Sequence, residues 1–341
     1  MSLQVLQSMW FVLVFILLIG YAILDGFDLG VGVLHIFAKD DHERRIGLNA
    51  IGPVWDGNEV WLVTAGGALF AAFPAVYATV FSGFYNALVL LLAALIGRAV
   101  ALEFRSKLES EVWKRFWDFG FFLGSAVAAV LFGVAFGNIL RGVPIDVDGN
   151  YTGTFIELLN PFALLVGVLT LVTFTMHGAL YLAIKSEGAM RDRLQRIVPW
   201  LWILVAGLYF AATGAAVWFL PYLFERFVET PWMWGLAVVG VVAIVATYGF
   251  SRSGKLTWAF AASATMIGCM VASAGASLYP RLVPSLINLN DSLTISNSSS
   301  SQRTLGVMLV VAGVGMPLVV GYSIFVYRVF KGKVVLSEES Y

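Results

Sequence analysis

The chain has 341 residues, 60% of them hydrophobic and 12% charged, with 11 Trp and 26 Phe. That balance excludes an ordinary soluble domain and points to a polytopic membrane protein. A net charge of zero removes the basic field that nucleic-acid binding needs, and the single cysteine, Cys269, excludes an intramolecular disulfide and any multi-cysteine metal or iron–sulfur site.

Windows of about 20 apolar residues predict an all-α chain, one integral-membrane domain spanning 1–341. Nine transmembrane helices are expected, approximately at 8–36, 50–73, 77–101, 117–140, 160–184, 199–220, 232–250, 257–279 and 304–330. The apolar run within Met1 to Phe37 has no positive segment before it and no small-residue cleavage site, so it reads as a retained helix rather than a signal peptide. The second helix is unusual, because Pro53, Asp56, Asn58 and Glu59 fall in its first turns. A proline is tolerated there, since the first turn lacks backbone partners in any case. The stretch from Leu140 to Asn160, with Gly142-Val143-Pro144 and Asp146 to Asn150, reads as a turn-rich polar loop. The Asn/Ser-rich stretch from Asn288 to Thr304 reads as a mobile exposed loop.

The 21 Lys and Arg divide 17 to 4 between the two alternating sets of loops, the minority being Arg141, Arg226, Arg281 and Arg303. The positive-inside bias then puts the N-terminus outside and the C-terminus in the cytoplasm. Three glycine pairs, Gly26/Gly30, Gly120/Gly124 and Gly133/Gly137, are spaced four apart and read as close helix-packing positions. No strand precedes Gly26 to Gly32, so that stretch is not a nucleotide loop.

Four acids lie inside apolar segments: Asp25 and Asp28 before the charged turn Lys39 to Arg45, Asp56 and Glu59 after it. Asp28 is eleven residues before Lys39, and Asp56 eleven after Arg45. At about 1.5 Å per helical residue, both lie about 16 Å from the charged edge. They are therefore expected near mid-membrane, as neighbours across helices one and two. Acids at that depth either take up and release protons or pair structurally, here with Arg98 or Asn58. Of the three histidines, His42 reads as solvated, and His35 and His177 as separate packed or interfacial residues. Bis-histidine ligation could hold at most one haem. Trp10, Trp113, Trp117, Trp200, Trp202, Trp232, Trp234 and Trp258 sit at helix ends, as an interfacial belt does. Trp55 and Trp61 flank the acids and read equally as cavity wall or as packing.

Several segments resemble subunit II of the cytochrome bd quinol oxidases. They are Gly26-Phe27-Asp28-Leu29-Gly30-Val31-Gly32; Trp55-Asp56-Gly57-Asn58-Glu59-Val60-Trp61-Leu62 with Ala65-Gly66-Gly67-Ala68-Leu69-Phe70; and Phe81-Ser82-Gly83-Phe84-Tyr85. Further along come Phe104-Arg105-Ser106-Lys107, Gly133-Val134-Ala135-Phe136-Gly137-Asn138, Tyr151-Thr152-Gly153 and Leu158-Leu159-Asn160-Pro161-Phe162. None is diagnostic alone; in order, they cover essentially the whole chain.

The resemblance implies an enzyme that couples quinol oxidation to reduction of dioxygen to water and builds a proton gradient from cytoplasmic protons. It implies two haems b and one haem d, ligated by a haem-bearing subunit I, with no axial ligand supplied by this chain. It associates Asp25, Asp28 and above all Asp56 with proton delivery and sets Trp61 beside a dioxygen route; Glu59 and Arg98 are expected as polar partners from their positions in the sequence. Further expectations are a structural quinone in this subunit, a small accessory subunit, membrane lipid, and a bacterial or archaeal cytoplasmic membrane. His177 has no counterpart in the family pattern, and the loop from Pro221 to Trp232 is short for the family. The alternative is a proton-coupled secondary transporter, which would show broken helices at corresponding positions of two repeated halves. A purely structural scaffold is the third reading.

Overall fold

A computed structural model describes residues 1–336. Its helices are α1 (Leu3–His35), α2 (Asp41–Ile51), α3 (Trp55–Ala72), α4 (Pro74–Gly83), α5 (Tyr85–Phe104) and α6 (Glu111–Arg141). They continue with α7 (Pro161–Lys185), α8 (Gly188–Phe219), α9 (Tyr222–Glu229), α10 (Trp234–Arg252), α11 (Leu256–Leu278) and α12 (Gln302–Val329). Eight of them, α1, α5, α6, α7, α8, α10, α11 and α12, are long and apolar enough to cross a membrane. The chain is an all-α polytopic membrane protein. α3 falls outside the eight: its 18 residues open on Asp56, Asn58 and Glu59, which dilute its apolar character.

α1 is the axis of the bundle and packs against α3, α6, α7 and α11. At its crossing with α7 the backbones nearly touch. A Cβ added to Gly30 would lie 1.9 Å from the Phe174 carbonyl oxygen, and one on Gly178 would lie 2.5 Å from the Gly30 carbonyl carbon. Close backbone approach is how small residues bind helices together in lipid, where dispersion drives association. The same reasoning holds for Gly124, Gly133 and Gly137; Gly26 instead seats the Phe174 ring, and Gly120's nearest neighbours stand at ordinary contact distance.

Several boundaries differ from the sequence expectation. The charged turn from Lys39 to Arg45 is instead mostly helix α2, nucleated by a capping arrangement: Asp40 accepts from the Glu43 N–H at 3.0 Å, and Glu43 accepts from the Lys39 N–H at 2.7 Å. A break at Gly52–Val54 then separates α2 from α3, so the predicted helix 50–73 starts late. The predicted helix 77–101 is preceded by Pro74, which starts α4, and is interrupted at Phe84 before α5. α8 begins eleven residues before the predicted 199, running as a polar helix through Pro199. The short stretch after Pro221 forms α9.

The Asn/Ser-rich loop is not loose. Arg281–Val283 (β1) pairs antiparallel with Leu293–Thr294 (β2), and Val143 bridges Ser285 from the α6–α7 loop. Ser292, Leu293, Ile295 and Ser298 are buried. Ser300 donates to the Ala71 carbonyl at 2.6 Å, tying the loop to α3. Its hydroxyls and amides satisfy one another and nearby carbonyls, a pattern that composition alone reads as exposure. Trp10 also departs from the belt reading: it is buried and donates to the Leu305 carbonyl at 3.0 Å.

Candidate functional site

Asp25 and Asp28 sit one turn apart on α1, and both are fully buried. The three-residue spacing puts them on one face, as expected. Arg98, from α5, is 2% exposed and donates from Nη2 to Asp25 Oδ1 at 2.8 Å, with Glu59 Oε1 at 3.9 Å. Gly124 on α6 lets Arg98 in, since a Cβ there would lie 2.9 Å from the Arg98 backbone nitrogen. Asp28 is held differently. Asn58 on α3 donates to Asp28 Oδ2 at 2.7 Å, and Tyr327 on α12 donates to Asn58 Oδ1 at 2.9 Å. Among the described residues, Asp28 Oδ1 and Arg98 Nη1 are buried without a hydrogen-bond partner. A buried polar atom left unpaired is costly, and such atoms mark sites where something besides packing is selected.

Asp56 does not join this group. It is exposed, in the first turn of α3, while Asn58 two residues on is 2% exposed and faces Asp28. Two residues are about 200° of helix rotation, so the two side chains point in nearly opposite directions. The expected Asp28–Asp56 neighbourhood fails because α3 starts at Trp55 rather than running continuously from residue 50. Glu59 is half-buried and lies between the two environments. Trp61 is packed against α1: a Cβ on Gly20 would lie 2.2 Å from its ring. Its indole N–H is buried without a partner.

A second polar cluster, not anticipated, closes the end of the bundle where α1 finishes. Asp118 Oδ1 accepts from His35 Nε2 at 2.6 Å and from Arg105 Nε at 2.5 Å, and Arg44 Nε lies 3.6 Å from Oδ2. Arg105 also reaches Asp41 Oδ1 at 2.6 Å. Arg193 on α8 pairs with Glu43. Burial raises the Asp41 carboxyl, but the hydrogen bond and charge of Arg105, helped by Lys114 and Arg45, hold it below the usual carboxylate range. Burial acts on Glu43 in the same direction and is outweighed by Arg193 and the Lys39 N–H. Asp118 was visible in the sequence as a fifth acid in an aromatic helix, Phe116-Trp117-Asp118-Phe119. Asn58 was expected as a structural partner of the acids and is one, through Asp28; Tyr327 carried no such signal.

His177 is buried between α1 and α11. Its Nε2 donates to the Ile23 carbonyl at 3.2 Å, Nδ1 lies 2.6 Å from Ser263 Oγ, and the ring stacks on Phe260 at 4.3 Å. His35 is bonded to Asp118 through Nε2, its Nδ1 being buried without a hydrogen-bond partner among the described residues, whereas His177 is engaged at both nitrogens. Elsewhere a cavity of about 350 Å³ opens among α1, α6, α7, α8 and α11, lined by Tyr21, Phe132, Thr170, Tyr209, Thr213 and Ser277.

Long apolar helices around a buried aspartate–arginine pair define a polytopic membrane protein with a charged seam between its first helices. Residues 6–330 match the family described as cytochrome bd terminal oxidase subunit II, and the chain belongs to that family. It is 40% identical over 367 residues to the cytochrome bd-I ubiquinol oxidase subunit 2 of Escherichia coli (strain K12), covering 97% of this chain and 96% of the relative. It is 36% identical over 332 residues to the cytochrome bd ubiquinol oxidase subunit 2 of Bacillus subtilis (strain 168), covering 96% and 97%. A chain in the solved structure of the bd oxidase from Geobacillus thermodenitrificans shares the fold, with a TM-score of 0.80, 17% identity and coverage of 96% and 98%.

Proposed function

We propose that this chain is the non-haem-ligating subunit of a quinol:dioxygen oxidoreductase in a cytoplasmic membrane and acts only with its haem-bearing partner, subunit I. The haems, two b-type and one d-type, belong to that partner and supply electron transfer and dioxygen reduction. In this reading α3 is the ninth span, the N-terminus is outside, and the C-terminus is cytoplasmic. The chain forms one integral-membrane domain.

The observation that carries the proton role is the exposure of Asp56 on the face of α3 turned away from Asn58 and Tyr327. Such a face suits coverage by the partner rather than by this chain. Asp56 is then a surface carboxylate that takes a proton arriving from the cytoplasmic side and passes it across the subunit boundary. Asp25 acts as the counter-ion of Arg98, and Asp28 as the acceptor of the Asn58–Tyr327 chain. Together they lock α1, α3, α5 and α12 in the geometry that presents Asp56. Glu59, half-buried and 3.9 Å from Arg98, links the locked group to the outer face. Trp61, wedged on Gly20, borders the same helix pair, in keeping with a dioxygen route along it.

The 350 Å³ cavity is mostly apolar with a few hydroxyls, the character of a site for a quinone ring and its isoprenoid tail. Tyr21, Tyr209 and Thr213 would hold the ring. Lipid and a small accessory subunit complete the expected partners. The transporter reading needs two matched broken helices, and family membership speaks for the oxidase. Replacing Asp56 with Asn in the assembled complex tests the proposal: turnover and proton uptake should fall together while haem content is unchanged. Normal turnover and uptake would remove Asp56 from the path.

A further inference from the structure

A groove of about 810 Å³ opens at the end of the bundle where α7, α10 and α12 finish and α8 and α11 begin. Its walls are Ile184, Phe250, Leu256 and Trp258, and three cations line it: Arg191, Lys255 and Lys333. The three cations come from different elements. Arg191 stands in the first turn of α8, with Nε buried and without a hydrogen-bond partner. Lys255 follows Gly254, whose positive φ of 73° closes a turn in which the Lys255 N–H donates to the Phe250 carbonyl at 3.0 Å. Lys333 lies beyond α12 and donates to the Ser186 carbonyl at 2.7 Å, while the Val334 N–H donates to the Lys185 carbonyl at 2.9 Å.

Among the described residues, none of the three forms a salt bridge. Burial and the neighbouring charge of Arg191 push the Lys333 ammonium below its ordinary pKa, against the opposing pull of Glu187. Three like charges are thus gathered in one groove, and among its described lining residues there is no carboxylate. Trp258, 65% exposed, stands at the rim where spanning helices end, the level at which amphipathic rings meet lipid head groups.

We propose that this groove binds the phosphate of an anionic phospholipid, with the three cations around the phosphate and the acyl chains running down the apolar wall of Ile184, Leu256 and Trp258. Basic pockets between helix ends are suited to such head groups. Free inorganic phosphate offers the same anion but would leave that wall uncovered, so the lipid satisfies both halves of the groove.

The test uses the delipidated complex of this chain with its partner, in an E338Q/E339Q background so that the two carboxylates beyond the described residues cannot serve as the anion. Native mass spectrometry follows retention of dioleoylphosphatidylglycerol against dioleoylphosphatidylcholine. K255Q/K333Q should weaken retention of one phosphatidylglycerol by roughly tenfold or more and leave phosphatidylcholine unchanged. R191Q, a second variant that leaves both lysines in place, should act in the same direction. K114Q, a half-buried cation outside the groove, should have no effect. Equal phosphatidylglycerol retention by the unsubstituted complex and both groove variants would overturn the proposal. So would displacement of the lipid by millimolar inorganic phosphate, which would assign the groove to the free ion.

Discussion

Arg98 is the group whose removal should be felt most. It is 2% exposed and lies 2.8 Å from the fully buried Asp25. Substituting Gln leaves Asp25 enclosed without a cation, and breaking a buried pair from one side costs about 3–5 kcal/mol. Glu59, at 3.9 Å and half-buried, loses a weaker attraction. Taking the low end, R98Q should be about 3 kcal/mol less stable, more than a hundredfold in the folded-to-unfolded ratio. The double variant D25N/R98Q replaces the pair with two amides able to bond each other, and should return to within about 1 kcal/mol of the unsubstituted protein. Unfolding of the purified complex with increasing sodium dodecyl sulfate, followed by circular dichroism, gives the four values of the cycle. The reasoning is refuted if R98Q is as stable as the unsubstituted protein, or if the double variant is as weak as the two single losses added.

Gly30→Ala should weaken the α1–α7 crossing by about 2 kcal/mol or more, because its Cβ would sit 1.9 Å from a backbone carbonyl that cannot swing aside; the same unfolding assay reads it, and an unchanged midpoint contradicts the close-approach argument. Asn58→Leu strips Asp28 of its donor and should cost about 1–3 kcal/mol, whereas Tyr327→Phe removes only the outer link and should cost about 1 kcal/mol; equal losses would mean that Asp28 does not depend on Asn58. Asp41 and Glu43 are held below their ordinary values in the folded protein. The stability they contribute is therefore fully present above their unfolded values near about pH 4 and is lost as pH falls through the folded ones. A spin label at His42→Cys should gain mobility on acidification through that window, and D41N/E43Q should be mobile already at neutral pH. A flat profile in the unsubstituted background would contradict this.

The sequence made the long apolar helices legible because apolar length is nearly the whole determinant of a span, and Asp25, Asp28 and Arg98 because charges in such helices are conspicuous. What it hid was phase. Counting eleven residues from a charged turn assumes an unbroken helix, and the break at Gly52–Val54 turned Asp56 outward and Asn58 inward. Neutral residues such as Tyr327 and Ser263 become partners only through three-dimensional contact, so their roles left no trace in composition. The loop after α11 was hidden for the opposite reason. Its serines and asparagines look like solvent-facing residues, yet they bond one another across sequence separations no local pattern encodes.

α12 is fastened at its two ends and bare between them. Trp10 grips the Leu305 carbonyl at one end, Tyr327 bonds Asn58 at the other, and Val307, Val310, Val311, Val314 and Leu318 in between are exposed. This bears on biosynthesis. Of the eight long apolar helices described, α12 has least to gain from folding onto its own chain, so an orphan copy would carry a long, poorly anchored segment open to membrane quality-control proteases. Supply of the second polypeptide, rather than the stability of this one, would then set how much of it survives in the cell.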